Sequence, residues 1–452
     1  MMPVIFLSGM GIFAMMADAF RFGKWARAIL ALGLLIALGS TFLPTPLFFV
    51  PFLGSGMVSF DSYSLIWTRL LLSVSFFIFL FYPVCFELSC RKYGQEALLT
   101  FSTLGAILLT SFSHLVMLFM AIEILSVPLY ILAGAEYATR EKSQEASLKY
   151  FLMGSFASAI LLFGIALVFV STGHFDCSGI ALFAQQSGSS LLLQGGSLLI
   201  LIGLLFKVGV VPFHFWVPDV YEGSPLIYTA FMSTVVKIAA FAGLYRLLAS
   251  GFASILVHTD RLIWIFAGLS MVLGVLLALQ QKSMKRLMAY SGIGHAGFML
   301  IPLVMGSASI LFYYALSYAL GSLVVFFALA LDKREAASDS ISDLSGMASR
   351  NPFAAFLFII GLLSLAGIPP TTGFFGKYLI ISHALSGGYF GTVVLAIFSS
   401  LLGAYLYFSL VTLLFRNTEA ESTVIKVPFS SKLIGFALVI LTLLAGLCPG
   451  LL

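Results

Sequence analysis

The sequence predicts an all-α integral membrane protein of about 14 transmembrane helices, and three observations carry that reading. Of 452 residues, 61% are hydrophobic and 9% charged, against about 25% charged in soluble domains. Mean hydropathy is +1.10. The 45 Phe leave too few charges to solvate a disordered chain. At about 20 apolar residues per span, the length leaves no room for a large extramembrane domain.

Apolar runs between polar breaks begin near residues 3, 28, 63, 96, 114, 147, 190, 224, 261, 285, 308, 352, 389 and 432. The opening MMPVIFLSGMGIFAMM has neither a basic leader nor a small-residue cleavage site, so it reads as a retained first span. Orientation follows from the basic residues. Loops after odd-numbered spans hold Arg21, Lys24 and Arg27, Arg91 and Lys92, Arg140 and Lys142, Lys282, Lys285 and Arg286, Lys333, Arg334 and Arg350, and Arg416, Lys426 and Lys432. Loops after even-numbered spans hold only Arg246 and Arg261. The asymmetry predicts odd-numbered loops in the cytoplasm and both termini on the other side.

The net charge of +5 is scattered, with no basic and aromatic patch for nucleic acid. Cys85, Cys90, Cys177 and Cys448 have neither zinc nor iron–sulfur spacing and read as small apolar fillers. No phosphate loop, oxygen-rich metal site or nucleophile with a base is present, so the sequence predicts no independent catalysis.

Five basic residues, Arg69, Lys149, Lys207, Lys237 and Lys377, fall inside apolar spans. A charge at the bilayer centre costs about 2.5 to 3.5 kcal/mol even on lenient scales, so these must face one another, water or polar backbone. Lys207 lies deep in SLLILIGLLFKVGVVPFHFW; Pro212 and Pro218 predict a broken helix, and His214 falls two helical turns beyond the lysine on the same face. Lys237 ends a four-residue series with Thr229 and Ser233, one polar face or a set of hydroxyls bonded one turn back. Lys377 closes SLAGIPPTTGFFGK, a second span broken by Pro369, Pro370, Gly373 and Gly376. Glu123 is the one carboxylate deep within a span and needs a cationic partner. Lys149 reads equally as an interfacial or a functional lysine, and His295 as a titrating or a packing histidine. Arg69 cannot release its proton and can only pair or position. The set permits stepwise proton movement.

Each broken span is the fourth of a five-span set, spans 4–8 and 9–13. Such corresponding breaks predict two inverted five-helix repeats with an ion path near mid-membrane. The single membrane domain then divides into 1–95 (spans 1–3), 96–250, 251–418 and 419–452 (span 14).

The runs MAIEILSVPLY, SLKYFLMGSFASA, FKVGVVPFHFWVPDVYEGSP, STVVKIAAFAGLYRLL, MKRLMAYSGIGHAGF and NPFAAFLFIIGLLSLAGIPPTTGFFGK resemble, in order and spacing, the antiporter-like subunits of respiratory complex I (NADH:quinone oxidoreductase). The likeness covers about residues 1 to 450, and the PDVYEG run with no long C-terminal amphipathic extension favours the N type over the L and M types. The resemblance implies that Glu123 pairs with Lys207 of broken span 7. It makes Lys237 the central lysine, Lys377 the proton-exit lysine of broken span 12, His214 the histidine after the first break, and Lys149 the span 6 lysine. It further implies a proton channel in a bacterial inner membrane that binds no cofactor itself. Flavin mononucleotide, iron–sulfur clusters and quinone belong to other subunits, and the partners are further membrane-arm subunits. The alternative is a subunit of a multisubunit cation/proton antiporter, which shares the broken helices and lysines. A purely structural scaffold leaves the buried charges without a reason.

Overall fold

The computed structural model describes residues 2–20, 23–43, 56–86, 94–136, 141–188, 190–256, 259–332, 339–416 and 425–447, and the side chains of 18, 19, 23–28, 83, 85, 86 and 187 are outside that description. Arg21, Arg91, Lys92, Arg140, Lys333, Arg334, Cys90 and Cys448, with the side chains of Lys24, Arg27 and Cys85, therefore lie outside the described residues.

The regular elements are helical. They begin α1 (Met2–Ala19), α2 (Gly23–Ser40), α3 (Ser62–Phe86), α4 (Gln95–Ser111), α5 (Leu115–Ala133), α6 (Glu141–Thr172), α7 (Cys177–Ser187), α8 (Leu191–Val208) and α9 (Trp216–Gly223). Next come α10 (Leu226–Phe231), α11 (Lys237–Leu247) and α12 (Ala253–Ile255), joined by π turns at Met232–Val236 and Leu248–Phe252. The chain continues through α13 (Asp260–Leu279), α14 (Met284–Val304), α15 (Ala308–Leu331), α16 (Met347–Arg350), α17 (Pro352–Ala366), α18 (Thr372–Ser386), α19 (Phe390–Leu414) and α20 (Phe429–Leu447). Among the described residues, 10 helices are long and apolar enough to cross a membrane. The most apolar window of Leu226–Ile255 is 94% buried, whereas that of Glu141–Thr172 is only 33% buried.

Side chains fix the ends. Asp176 accepts from the amide of Gly179 at 2.7 Å to open α7, and Asn351 accepts from Ala354 at 3.1 Å to open α17, with Pro352 at the first helical position. The two breaks fall where proline and glycine require them. After α8 stops at Val208, Gly209 adopts φ +75° and Pro212 offers no amide hydrogen, and the helix resumes at Trp216. Gly367, at φ +83°, ends α17: its amide reaches the carbonyls of Leu363 and Ser364 at 3.0 Å, and Ile368 reaches Leu363 at 3.1 Å. That is a Schellman motif, and it leaves the last carbonyls of α17 without helical partners.

The chain forms two compact units. The first comprises Met1–Phe79, Arg91–Val208 and Val235–Leu262, and the second Leu80–Cys90, Gly209–Thr234 and Ile263–Leu452. Residues 209–234, assigned to the first repeat from the sequence, thus pack within the second unit. In the first unit α6 lies against α8 through glycine: a Cβ on Gly164 would stand 2.7 Å from the Gly196 carbonyl oxygen. Small residues at such crossings let backbones approach in the absence of a hydrophobic driving force between helices. In the second unit Gly361 of α17 serves the same purpose against Val325 of α15, at 2.7 Å.

Three features differ from the sequence reading. α7 is a helix within a stretch read as connection. The start of α6 is the polar run Glu141 to Glu145, in which Glu, Lys and Gln are good helix formers, so Lys149 sits two turns into the helix rather than at its start. The π turns interrupt a span read as continuous.

Candidate functional site

In the first unit, α5, α6 and α8 converge on Lys207. This lysine is 5% exposed although it sits in the last turn of an otherwise apolar helix. Its Nζ donates to the hydroxyl of Tyr150 on α6 at 3.3 Å and lies 5.1 Å and 5.7 Å from the ring centres of Tyr150 and Tyr130. The aromatic faces supply negative quadrupole to an ammonium that has left water. Glu123, half-buried on α5, accepts a hydrogen bond from the hydroxyl of Ser158 on α6. Lys207 shares a pocket of about 10 Å³ with Ser158 and Tyr130, at the lower limit for one water.

Lys237 opens α11, is 3% exposed, and belongs to the same unit, where α11 packs on α4 and α8. The hydroxyls expected to continue its polar face are engaged elsewhere. Thr229 donates to the Tyr221 carbonyl at 3.0 Å, and Ser233 to that of Ala230 at 3.0 Å. The π turn at Met232–Val236 interposes a wider turn just before the lysine, so the four-residue register read from the sequence does not hold.

In the second unit Lys377, 8% exposed, donates from Nζ to the carbonyls of Leu365 at 3.0 Å and Ala366 at 2.8 Å. These are the carbonyls that the break after α17 leaves free, at the negative end of that helix. The Phe298 ring lies 5.6 Å away. His295 of α14, 7% exposed, is held at both ring nitrogens: Nδ1 is 2.8 Å from the Tyr314 hydroxyl and Nε2 is 3.2 Å from that of Tyr407. Tyr407 in turn meets the hydroxyl of Ser291. Lys377, His295, Ser291 and Tyr407 line one cavity of about 20 Å³, room for a single water.

The remaining predicted residues are placed as follows. His214, 7% exposed, lies in the turn between α8 and α9, so the helical relation to Lys207 read from the sequence is void. Its Nδ1 makes no hydrogen bond among the described residues. Lys149 pairs with Glu145 one turn back at 2.6 Å, with both side chains more than a third exposed; such pairs contribute little. Arg69 binds the hydroxyl and carbonyl of Thr41, at 3.2 Å and 2.9 Å, and lies over Phe42, which ties α3 to the end of α2.

Sequence reasoning missed Tyr130, Tyr150 and Ser158 around Lys207, and Tyr314 and Tyr407 around His295. A tyrosine in an apolar run carries no periodic signal that separates it from core, so only the fold shows where its hydroxyl points. Loop cations read only as topology markers also have structural work. Arg286 binds Asp219 at 2.7 Å and Glu222 at 3.0 Å on α9, while Lys285 binds Asp339 at 3.0 Å and the Ser224 carbonyl at 2.9 Å. Together they fasten the PDVYEG segment to the start of α14.

Comparison with known proteins follows the same lines. A family model described as the transmembrane part of the NADH:quinone oxidoreductase/Mrp antiporter proteins matches residues 113–403. NADH-quinone oxidoreductase subunit N of Cytophaga hutchinsonii is 36% identical over 99% of this chain and 96% of its own length. The subunit N of Flavobacterium psychrophilum is also 36% identical, over 99% and 98%. Among solved structures, a chain of respiratory complex I from Thermus thermophilus superimposes with a TM-score of 0.82 at 33% identity, covering 100% of this chain and 98% of that one. A chain of the Mrp complex from Dietzia shares the fold alone, with a TM-score of 0.83 at 21% identity. An extensive helical fold, lysines enclosed at helix breaks and full-length relatives agree: this chain belongs to the NADH:quinone oxidoreductase/Mrp antiporter transmembrane family.

Proposed function

We propose that this chain is a proton-translocating, non-redox subunit of the membrane arm of a bacterial NADH:quinone oxidoreductase. Electrons would pass from NADH to quinone through flavin and iron–sulfur centres in other subunits, and this chain would carry protons across the inner membrane. One observation carries the reading: Lys207, Lys237 and Lys377 are each at most 8% exposed inside apolar helices, two of them beside helix breaks. Exchangeable protons at the end of a broken helix are the chemistry of a transport path. The complex I reading is preferred to the antiporter one because the complex I relatives are 33% to 36% identical along the whole chain, whereas the Mrp relative supports the fold only.

Within this reading Glu123, Lys207, Lys237 and Lys377 are the relay groups, His295 joins Lys377, and His214 and Lys149 are secondary. The ten long helices are supplemented by Met2–Ala17, Ile29–Ser40 and Pro352–Ala366 and by α4. Counting α8 with α9 and α17 with α18 as one broken span each supports fourteen spans, arranged as two inverted five-helix repeats with both termini outside the cytoplasm. Other membrane-arm subunits would be the partners.

Two outcomes test the assignment in inverted membrane vesicles energised with NADH. Glu123→Gln, which keeps the hydrogen-bonding shape but removes the carboxylate, is expected to lower pumping by about a hundredfold, the low end of what positioned proton-transfer groups supply. Lys377→Glu is expected to be milder than Lys377→Ala, because either a carboxyl or an amine can exchange a proton. Dye quenching normalised to NADH oxidation reads both, and wild-type pumping by all three variants would end the proposal.

A further inference from the structure

An open cavity of about 770 Å³ lies where α4 and α6 begin and α5 ends. Its wall sets the polar side chains of Gln95, Gln144 and Ser147 among the apolar ones of Leu98, Leu148 and Phe151. Tyr130 lines this vestibule and also the pocket of about 10 Å³ that holds Lys207. Backbone and ring are each anchored. The Ser147 hydroxyl donates to the Tyr130 carbonyl at 2.8 Å, and the Tyr150 ring stands perpendicular to Tyr130 at 4.8 Å. Gly154 of α6 makes the seat for its hydroxyl: a Cβ there would stand 2.2 Å from that oxygen.

We propose that Tyr130 is a positioning residue that plugs the passage between this vestibule and Lys207, so that displacement of one ring decides whether the amine meets bulk water. The proposal rests on the proton-carrying role of Lys207. Beyond the ring the pocket wall is mostly apolar, with Ile122, Leu161 and Phe206 beside Ser158, and its volume is near the minimum of about 10 to 15 Å³ that one water needs. No chain of water passes while the ring is seated, whereas the vestibule beside it has ample room. A plug that leaves with a side-chain rotation, rather than a helix movement, sets uptake on the timescale of local motion. The perpendicular contact with Tyr150, whose hydroxyl touches Lys207 Nζ, places the plug where the state of the amine is felt.

Thiol accessibility in the assembled complex, in membrane vesicles, tests this without reference to pumping. A small water-soluble methanethiosulfonate ethylammonium reagent is applied to Ser147→Cys, in the vestibule, and to Lys207→Cys, behind the ring, and modification at that position is read by mass spectrometry of the peptide. Ser147→Cys is expected to react whether or not Tyr130 is present. Lys207→Cys is expected to react about tenfold faster with Tyr130→Ala, equivalent to about 1.4 kcal/mol of barrier, and no faster with Tyr130→Phe, which keeps the ring. Tyr130→Leu fills more of the space than alanine and guards against a folding defect. Equal rates for Lys207→Cys with and without the ring, or an unreactive Ser147→Cys, in complexes that assemble, overturn the plug. Wild-type pumping by Lys207→Ala would instead overturn the functional reading and leave the labelling result standing.

Discussion

Lys237→Ala is expected to lower proton pumping of the assembled complex by at least about tenfold, since a positioned proton-transfer group contributes about 10² to 10⁴ in rate. Lys237 is 3% exposed on α11, within the most enclosed of the described spans, and α4 and α8 pack against that helix. An enclosed site of this kind has no solvent proton to substitute for the missing amine. Truncation removes a costly buried cation rather than an apolar contact, so assembly should survive where transport does not. Lys237→Arg separates charge from exchange: arginine keeps the cation but does not release its proton, and is expected to be as defective as alanine. NADH-driven dye quenching, set against NADH oxidation by an artificial acceptor, measures both. An arginine variant that pumps normally would show that Lys237 acts as a fixed charge.

The second large effect is structural. Gly373→Ala is expected to destabilise the second unit by about 3 kcal/mol, the upper range for overpacking, and to reduce the amount of assembled complex. A Cβ at this position would lie 1.6 Å from the Ser364 carbonyl oxygen, an overlap with backbone that no rotamer relieves. The same contact seats the start of α18 beside the end of α17, where Lys377 takes the carbonyls of Leu365 and Ala366. Complex yield and the midpoint of thermal disassembly read the change. Gly391→Ala is the matched control, since nothing lies within 4 Å of a Cβ there, and it should leave both unaltered.

Much of this was legible in the sequence for reasons that can be named. Hydropathy located the ten long apolar helices because a bilayer admits only helices whose backbone is satisfied internally. Proline and glycine located the breaks near Lys207 and Lys377, since neither Pro212 nor Pro369 with Pro370 can continue a helix. The lysines stood out because a charge in an apolar run is expensive. What stayed hidden depends on tertiary context. The π turn before Lys237 has no compositional mark, so the expected Thr229 and Ser233 face was drawn on an α-helix that is interrupted there. Tyr150 and Tyr407 look like any aromatic filler until α6 and α19 bring their hydroxyls to Lys207 and His295. The reach of α7 and of the clamp from Lys285 and Arg286 likewise needed partners distant in the chain.

The tyrosines around His295 have a consequence for direction. In a neutral imidazole one nitrogen donates and the other accepts, so Tyr314 and Tyr407 cannot both play the same part toward it. If Tyr407 donates to the ring, it is left to accept from Ser291, and the ring donates to Tyr314; the other tautomer reverses all three links. If His295 relays protons as proposed, the row is a polarised wire with two settings. After a charge has passed one way, every hydroxyl along it must turn over before a second can follow, and that resetting gives the row a memory of the last passage.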